Sequence, residues 1–148
     1  MSSVFPSAVE TERDVTALSA FKTPARAAYF LSVSDRSHLP LLSEAVAAAK
    51  SAGLPVAYLG DGTNCLFAFD RFPGLLVKNS LTGFRHLQDE SSPIAPAKVA
   101  TGRFEVHSAE KVHPVSLLLA TEGFLGAVPW IGLPGSFGGA VVGNAGCF

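Results

Sequence analysis

A glycine-rich pentapeptide between two apolar runs restricts the fold more than any other feature of the sequence. Residues 55–59, Pro-Val-Ala-Tyr-Leu, predict a strand, and residues 65–69, Cys-Leu-Phe-Ala-Phe, predict a second one. A tight loop between them holds Gly60, Asp61, Gly62, Thr63 and Asn64. Such a loop presents successive backbone N–H groups to phosphate oxygens, and glycine allows a positive φ and close approach of a ligand. We therefore predict a phosphate-binding turn, in which Gly62→Val would abolish ligand binding with a smaller effect on the fold.

An ordinary hairpin turn is the alternative explanation of this pentapeptide, because Gly, Asp and Asn are common turn formers. Two more specific phosphate-binding motifs are excluded. The dinucleotide fingerprint G-x-G-x-x-G needs a third glycine and a following helix, whereas Cys65 occupies that position and a strand is predicted next. The P-loop needs G-K-S/T after four spacers, and no such string is present.

The segments around the pentapeptide predict alternating strands and a helix. Residues 26–34 are rich in aromatic and β-branched types and predict a strand. Residues 38–52 carry apolar side chains at helical spacing, with Pro40 suited to the first turn and Gly53 to the end of the helix. A turn and a short strand are predicted to follow the pentapeptide, at 70–74 and 75–78. This order indicates an α+β or α/β layer.

The second half of the chain predicts a separate, smaller unit. Residues 88–98 are polar and proline-bearing, and indicate a loop or a boundary between subdomains. A strand is predicted within 99–107. A short helix is predicted over 114–122, with Pro114 in its first turn and Gly123 closing it.

Residues 132–146 contain six glycines and form a second candidate binding segment. Glycine at this density removes side chains from a surface, so a flat aromatic ring could lie against the backbone and accept hydrogen bonds from its N–H groups. The alternative is a buried bend where two elements pack closely. The candidate binding residues of this segment are Pro134, Gly135, Ser136, Gly138, Gly139, Asn144 and Gly146.

Composition excludes several other classes of function. The 148 residues are 48% hydrophobic and 16% charged, with a net charge of −1, which suits a packed core and offers no basic surface for nucleic acid. Cys65 and Cys147 are too few for a disulfide framework, and the four histidines share no metal-ligand spacing, so we predict no metal site. No apolar stretch is long enough to cross a membrane. Residues 1–16 lack a secretory signal and predict a flexible arm of a cytoplasmic protein.

Four stretches, taken in order, resemble the UDP-N-acetylenolpyruvoylglucosamine reductase family, flavoenzymes of bacterial peptidoglycan precursor synthesis. The strongest likeness lies at 133–146, which is similar to I-P-G-S-x-G-G-A-x-x-x-N-A-G. Residues 54–67 resemble L-P-V-L-x-L-G-x-G-S-N-x-L, residues 122–126 resemble the turn G-x-x-G-L-E, and residues 20–25 resemble the opening segment N-T-F-G. The resemblance covers residues 18–148, which match the front part of the family's length.

The resemblance implies a two-lobed α+β FAD-binding domain of the vanillyl-alcohol-oxidase/PCMH-like type, with lobe 1 at 17–90 and an incomplete lobe 2 at 91–148. Residues 60–64 would hold the FAD pyrophosphate, and residues 134–139 with 144–146 would lie along the ribityl chain and the isoalloxazine ring. NADPH would reduce the flavin. The reduced flavin would pass hydride to the enolpyruvyl double bond of a sugar nucleotide, UDP-N-acetylglucosamine enolpyruvate, to give UDP-N-acetylmuramate.

The sequence departs from the family pattern at several positions. Ser19-Ala20 replaces Asn-Thr in the opening motif, Cys147-Phe148 replaces Ala-Tyr, and residues 106–109 lack the glycine of a V-x-A-G segment. The family's substrate-positioning arginine, proton-donating serine or cysteine, late glutamate and substrate-binding domain have no counterpart in residues 1–148. We therefore expect no catalytic residue here, a truncated second lobe, and no reduction of the enolpyruvyl substrate by these residues alone.

Three alternative functions stay open on the sequence. The chain could be the non-catalytic flavin-binding half of a split enzyme. It could belong to another FAD-dependent oxidoreductase of the same fold class, acting on a hydroxy acid or an alcohol. It could also be a phosphate-binding or interaction domain with no redox role.

Overall fold

The chain divides into two units, Met1–Leu81 and Thr82–Phe148, in a computed structural model that describes residues 4–87 and 101–146. This division falls nine positions before the boundary that the sequence predicts between residues 90 and 91. The physical reason is strand pairing, because residues ahead of the predicted boundary pair with residues behind it. The loop predicted at 88–98 lies outside the described residues.

A four-stranded mixed sheet forms the centre of the first unit. Its strands are β1 (Glu10–Asp14), β2 (Arg26–Val33), β3 (Val56–Leu59) and β4 (Arg71–Asn79), in the spatial order β1-β2-β4-β3. Strand β4 pairs in parallel with both β2 and β3, whereas β1 pairs with β2 in antiparallel fashion. Helix α1 (Leu39–Ser51) connects β2 to β3. The predicted strands at 26–34 and 55–59 and the predicted helix at 38–52 are confirmed.

Both faces of this sheet are covered, which explains the continuous apolar run in β4. Leu75, Leu76 and Val77 are all buried, although successive side chains of a strand point to opposite faces. One cluster lies on the α1 face, where Ala45 and Ala49 of the helix pack with the strands. The other face carries a second apolar cluster, whose buried members are Val15, Ala25, Ala27, Phe30, Leu59, Phe67 and Leu76.

The ends of α1 follow the chemistry that the sequence indicates. Asp35 accepts a hydrogen bond from the Ser37 N–H at 2.8 Å and starts the short 3₁₀ turn Arg36–His38 that leads into the helix. Pro40 lies in the first helical turn, as predicted. Gly53 follows the helix with a φ of +67°, the left-handed conformation that glycine adopts most easily at a helix end.

The structure corrects three predictions in the first unit. Residues 4–16 are not a loose arm, because β1 joins the sheet and buried apolar side chains hold the segment in place, namely Phe5, Val9 and Val15. Residues 65–69 form no strand, because Phe67 is buried against the sheet face instead of pairing at its edge. Residues 70–74 are not a turn, because β4 already begins at Arg71.

A β-bulge accounts for the misleading turn signal at 73–74. The β2–β4 pairing passes from Ala27–Phe72 to Tyr29–Leu75, so that two steps on β2 face three steps on β4. Proline and glycine are typical of such a bulge. They resemble a turn in the sequence although the strand continues through them.

The second unit contains a hairpin-like pair of strands and two helices. Strands β5 (Phe84–Leu87) and β6 (Arg103–Val106) pair in antiparallel fashion, followed by α2 (Val112–Thr121), a 3₁₀ helix (Leu125–Trp130) and α3 (Phe137–Val142). The strand predicted within 99–107 and the helix predicted over 114–122 are confirmed, whereas β5 and α3 were not predicted. The fold is mixed α+β. Within residues 4–87 and 101–146, no helix has the length and apolar character needed to span a membrane.

Gly62 and Gly53 form a matched pair for a first prediction. Their φ angles are +69° and +67°, but a side chain at Gly62 would overlap the carbonyl oxygen of Leu18, whereas nothing lies within 4 Å of one at Gly53. Gly53→Ala should cost about 1–2 kcal/mol of unfolding free energy, from the left-handed backbone alone. Gly62→Ala should cost about 1–3 kcal/mol more, from the added overlap. Urea unfolding followed by circular dichroism measures both, and equal losses would contradict the overlap with Leu18.

This overlap also corrects the expected effect of Gly62→Val. The clash lies with the chain's own backbone, so the fold itself requires glycine at position 62. A large effect on folding is therefore expected from that substitution.

Acid should destabilise the first unit through three exposed carboxylates. The Arg71 guanidinium, by hydrogen bonding, holds the pKa of Glu12 below its usual value, and hydrogen bonds from Thr16 and Ser37 do the same for the pKa values of Asp14 and Asp35. A carboxyl with a lowered folded-state pKa stabilises the fold above its unfolded pKa, and this contribution is lost as pH falls through the folded pKa. Stability should thus decline below about pH 4.

The Glu12 contribution can be isolated with Glu12→Gln, which removes the titrating group while keeping a similar shape. The variant should lose part of the acid-dependent decline in unfolding free energy, and the difference should be modest because the Glu12–Arg71 pair is exposed. An unchanged pH profile between pH 2 and 6, measured by urea unfolding, would show that this ion pair does not contribute.

Candidate functional site

The first candidate site lies at the carboxyl edge of the parallel strands. In the sheet register, Val33 of β2 pairs with Asn79 of β4, and Leu59 of β3 pairs with Lys78 of β4. The three strands therefore end side by side, and residues 60–64 leave the sheet at this edge. In open sheets with parallel strands, ligands bind outside the carboxyl ends of the strands. The predicted phosphate-binding turn thus has the position that such a site requires.

A buried serine holds this turn against the preceding chain. Ser19 is only 2% exposed; its hydroxyl donates to the Cys65 carbonyl and accepts from the Phe21 N–H at 3.2 Å. The Ala20 N–H donates to the Gly62 carbonyl at 3.1 Å. The turn is therefore formed by contacts within the chain before any ligand arrives. The sequence identified Ser19-Ala20 only as a departure from the family pattern and missed this role.

The outer part of the turn offers groups for a ligand. Gly60 and Asp61 are half-buried and Gly62 is buried, whereas Thr63 and Asn64 are exposed. In the part of the chain that the structure describes, no hydrogen bond occupies the backbone N–H groups of Thr63 and Asn64. These two N–H groups, with their side-chain hydroxyl and amide, are donors of the kind that bind phosphate oxygens. Gly62 contributes through the shape of the turn, since its φ of +69° demands glycine.

A lysine that the sequence did not single out lies beside this turn. The Lys78 Nζ donates to the Gly60 carbonyl at 2.7 Å and to the Asn79 carbonyl at 3.2 Å. It is half-buried at the end of β4. The available signal was its place at the end of the apolar run 75–77, where a charged residue marks the edge of a buried strand. The site thus combines backbone donors with a nearby positive charge.

The second candidate segment is built around the start of α3. Ser136 is 3% exposed and caps the helix by accepting the Gly139 N–H at 3.3 Å. The Phe137 N–H donates to Glu110 at 2.9 Å, and the Gly138 N–H donates to Ser108 at 2.8 Å, both to carbonyl oxygens. These N–H groups are therefore already used inside the unit, contrary to the expectation that they would bind an aromatic ring.

Glycine at position 138 is explained by packing. A side chain there would meet the Cβ and the carbonyl oxygen of Ser108 at 2.9 Å, which supports the buried-bend alternative at this residue. Gly139 and Gly146 differ, because both are exposed: a side chain at Gly139 would make an ordinary contact with the Ser136 hydroxyl at 3.4 Å, and one at Gly146 would meet nothing within 4 Å. Pro134 and Asn144 are also exposed, and Gly135 is half-buried with a φ of +97°. A ligand would thus meet the outer surface of the segment.

The remaining chemistry-bearing side chains of the described residues have structural surroundings. The described residues contain no group of three His, Cys, Asp or Glu side chains that could hold a metal ion. Cys65 is a free thiol packed against the second apolar cluster, as its apolar neighbours in sequence indicate. His113 accepts the Gly132 N–H at 2.9 Å, a structural contact. The predicted site residues therefore form two groups, 60–64 in the first unit and 134–146 in the second.

Comparison with known proteins identifies the family of the chain. Residues 38–148 match the family described as "FAD binding domain", which covers both candidate segments. A UDP-N-acetylenolpyruvoylglucosamine reductase of Chlamydia trachomatis serovar L2 is 30% identical over 149 residues, covering 99% of this chain and 45% of that protein. The reductase of the same name from Synechococcus elongatus is 36% identical over 111 residues, covering 72% of this chain and 34% of that protein.

A third relative of the same name, from Gloeobacter violaceus, is 35% identical over 107 residues and covers 72% of this chain. The chain spans less than half the length of these relatives, at 45%, 34% and 32%. The family match extends over three quarters of the chain and includes the turn at the sheet edge and the glycine-rich segment. The chain therefore belongs to the FAD binding domain family.

Proposed function

We propose that these 148 residues provide the FAD-binding function of a cytoplasmic, NADPH-dependent reductase that converts UDP-N-acetylglucosamine enolpyruvate to UDP-N-acetylmuramate for peptidoglycan synthesis. The observation that carries this proposal is the turn 60–64 at the carboxyl edge of parallel strands, within a segment that matches the FAD binding domain family. The names of the relatives supply the substrate, a sugar nucleotide. The domain would be of the two-lobed vanillyl-alcohol-oxidase type.

The residues of the turn suit a pyrophosphate group. Exposed N–H groups at Thr63 and Asn64 can each donate to a phosphate oxygen, and the Lys78 ammonium lies 2.7 Å from the Gly60 carbonyl. The turn is already braced by Ser19, so binding requires little ordering of the chain. In this assignment, residues 60–64 bind and orient the cofactor through its phosphates.

The glycine-rich segment would face the ribityl chain and the isoalloxazine ring, with Pro134, Gly135, Ser136, Gly138, Gly139, Asn144 and Gly146 as the proposed residues. The N–H groups of 137–139 are used within the unit, so contact with a ring would depend on the exposed outer surface. The flavin would supply the redox chemistry, accepting hydride from NADPH and delivering it to the substrate. The residues of this chain would bind the cofactor and shield it.

The first test is a titration of the purified 148-residue chain with FAD. Binding should quench flavin fluorescence and raise the melting temperature, with about 2.7 kcal/mol of stabilisation when FAD is present at 100 times its dissociation constant. No thermal shift up to millimolar FAD would contradict the proposal. Stabilisation by ADP without any response to riboflavin or FAD would instead favour a phosphate-binding domain with no redox role.

A single hydroxyl in the turn provides a sharper version of this test. Thr63→Val should weaken FAD binding about tenfold, because one hydrogen bond to a charged phosphate is lost. Thr11→Val is the matched control, since Thr11 is exposed on β1 at the opposite edge of the sheet. Equal dissociation constants for the two variants would show that the turn does not contact the cofactor through Thr63.

A further test concerns turnover by these residues alone. The resemblance assigns every matching position to the cofactor and none to proton donation, so FAD-loaded chain should oxidise NADPH slowly and independently of the enolpyruvyl sugar nucleotide. The chlamydial relative assayed in parallel serves as the positive control. A substrate-dependent rate in the ordinary enzyme range, about 1–10³ per second, would overturn this expectation and would reveal a general acid within residues 1–148.

A further inference from the structure

We infer that Lys78 is a positioning residue for phosphate recognition: its ammonium fixes the turn 60–64 and supplies the positive charge that a bound pyrophosphate requires. This inference rests on the proposed function. Lys78 lies outside both glycine-rich segments, at the carboxyl edge of the sheet.

The position of Lys78 is set by the buried strand that carries it. Leu75, Leu76 and Val77 precede it and are all buried, so the backbone at Lys78 has little freedom to move. Lys78 pairs with Leu59, the last residue of β3 before the turn. The side chain therefore starts from a fixed point immediately beside the place where the turn leaves the sheet.

The contacts of the ammonium connect two strand ends. Its Nζ donates to the Gly60 carbonyl at 2.7 Å and to the Asn79 carbonyl at 3.2 Å, which joins the first residue of the turn to the last residue of β4. Gly60 lacks a side chain to hold its own position. The lysine contact, together with the Ala20 bond to Gly62 at 3.1 Å, fixes the turn at both its start and its middle.

The positive charge of Lys78 also offsets a negative charge in the turn. Asp61 gives the turn 60–64 a negative charge, and negative charge in the turn opposes the binding of a phosphate. A half-buried ammonium at the neighbouring carbonyl offsets this repulsion, because its charge is only partly screened by solvent. A neutral residue at position 78 could hold the Gly60 carbonyl but could not offset the carboxylate.

The experiment uses the full chain with three variants at this position. Lys78→Met removes both the charge and the donor, Lys78→Gln removes the charge but keeps a donor, and Lys78→Arg keeps both. Lys50→Met is the matched control, because Lys50 is exposed in the last turn of α1. Dissociation constants are measured for FAD, ADP and riboflavin at low and high salt, and urea unfolding of each ligand-free variant reports on the fold.

The expected result separates phosphate recognition from general stability. Lys78→Met and Lys78→Gln should each weaken FAD and ADP about tenfold or more, leave riboflavin unchanged, and reduce the salt dependence of FAD affinity. Lys78→Arg should restore most of the affinity, and Lys50→Met should behave as the unmodified chain. If Lys78→Met does not fold, the ratio of FAD affinity to riboflavin affinity is compared between Lys78→Gln and Lys78→Arg. A lower ratio in Lys78→Gln supports the inference.

Two outcomes would overturn the inference. One is an unchanged FAD affinity in Lys78→Gln. The other is a parallel loss of FAD and riboflavin affinity, which would assign Lys78 to the fold alone. Failure of the unmodified chain to bind FAD at all would instead overturn the proposed function, so the two failures are distinguishable.

Discussion

The parallel pairing of β4 between β2 and β3 is the contact on which the first unit depends. Leu75, Leu76 and Val77 are buried because α1 covers one sheet face and the segment after β3 covers the other. The register is fixed where the Leu75 N–H donates to the Pro55 carbonyl at 2.9 Å, beside Gly74, whose side-chain position is filled by Pro55. With β3 only four residues long, this register also places the turn that follows it.

The glycines of the two candidate segments differ in whether packing within the chain requires them. Gly62 and Gly138 are required by the chain itself, since side chains there would meet Leu18 and Ser108. A side chain would meet nothing at Gly146 and would make only an ordinary contact with Ser136 at Gly139, so the fold does not demand glycine at either position. A glycine-rich motif is therefore not uniformly a ligand signal. In the turn 60–64, Gly62 sets the shape of the backbone, whereas the exposed residues Thr63 and Asn64 offer the hydrogen-bond donors.

Much of the fold was predictable because strong local patterns decide it. The apolar strand at 26–34 and the helix closed by Gly53 each rest on neighbouring residues, and both are confirmed. The errors share a different cause, which is dependence on distant partners. Strand β1 is polar in sequence and joins the sheet by pairing with β2. Phe67 lies in an apolar run that resembles a strand, but its side chain packs in the second apolar cluster on the sheet face. The sequence does not indicate the role of Lys78 for the same reason, because its partner Gly60 lies 18 positions away.

The hydrogen bonds of the glycine-rich segment affect how a flavin would be held in the proposed assignment. The N–H groups of 137–139 donate to Ser108, Glu110 and Ser136, so the start of α3 is hydrogen-bonded within the chain without a ligand. A ring placed on it would gain from apolar contact, for which Val141 and Val142 are 78% and 89% exposed. Hydrogen bonds to the cofactor would then be made mainly to its phosphates. There, the exposed residues Thr63 and Asn64 belong to the same turn as Gly60, whose carbonyl accepts from Lys78, so discrimination between FAD and a phosphate-free flavin would arise in the first unit.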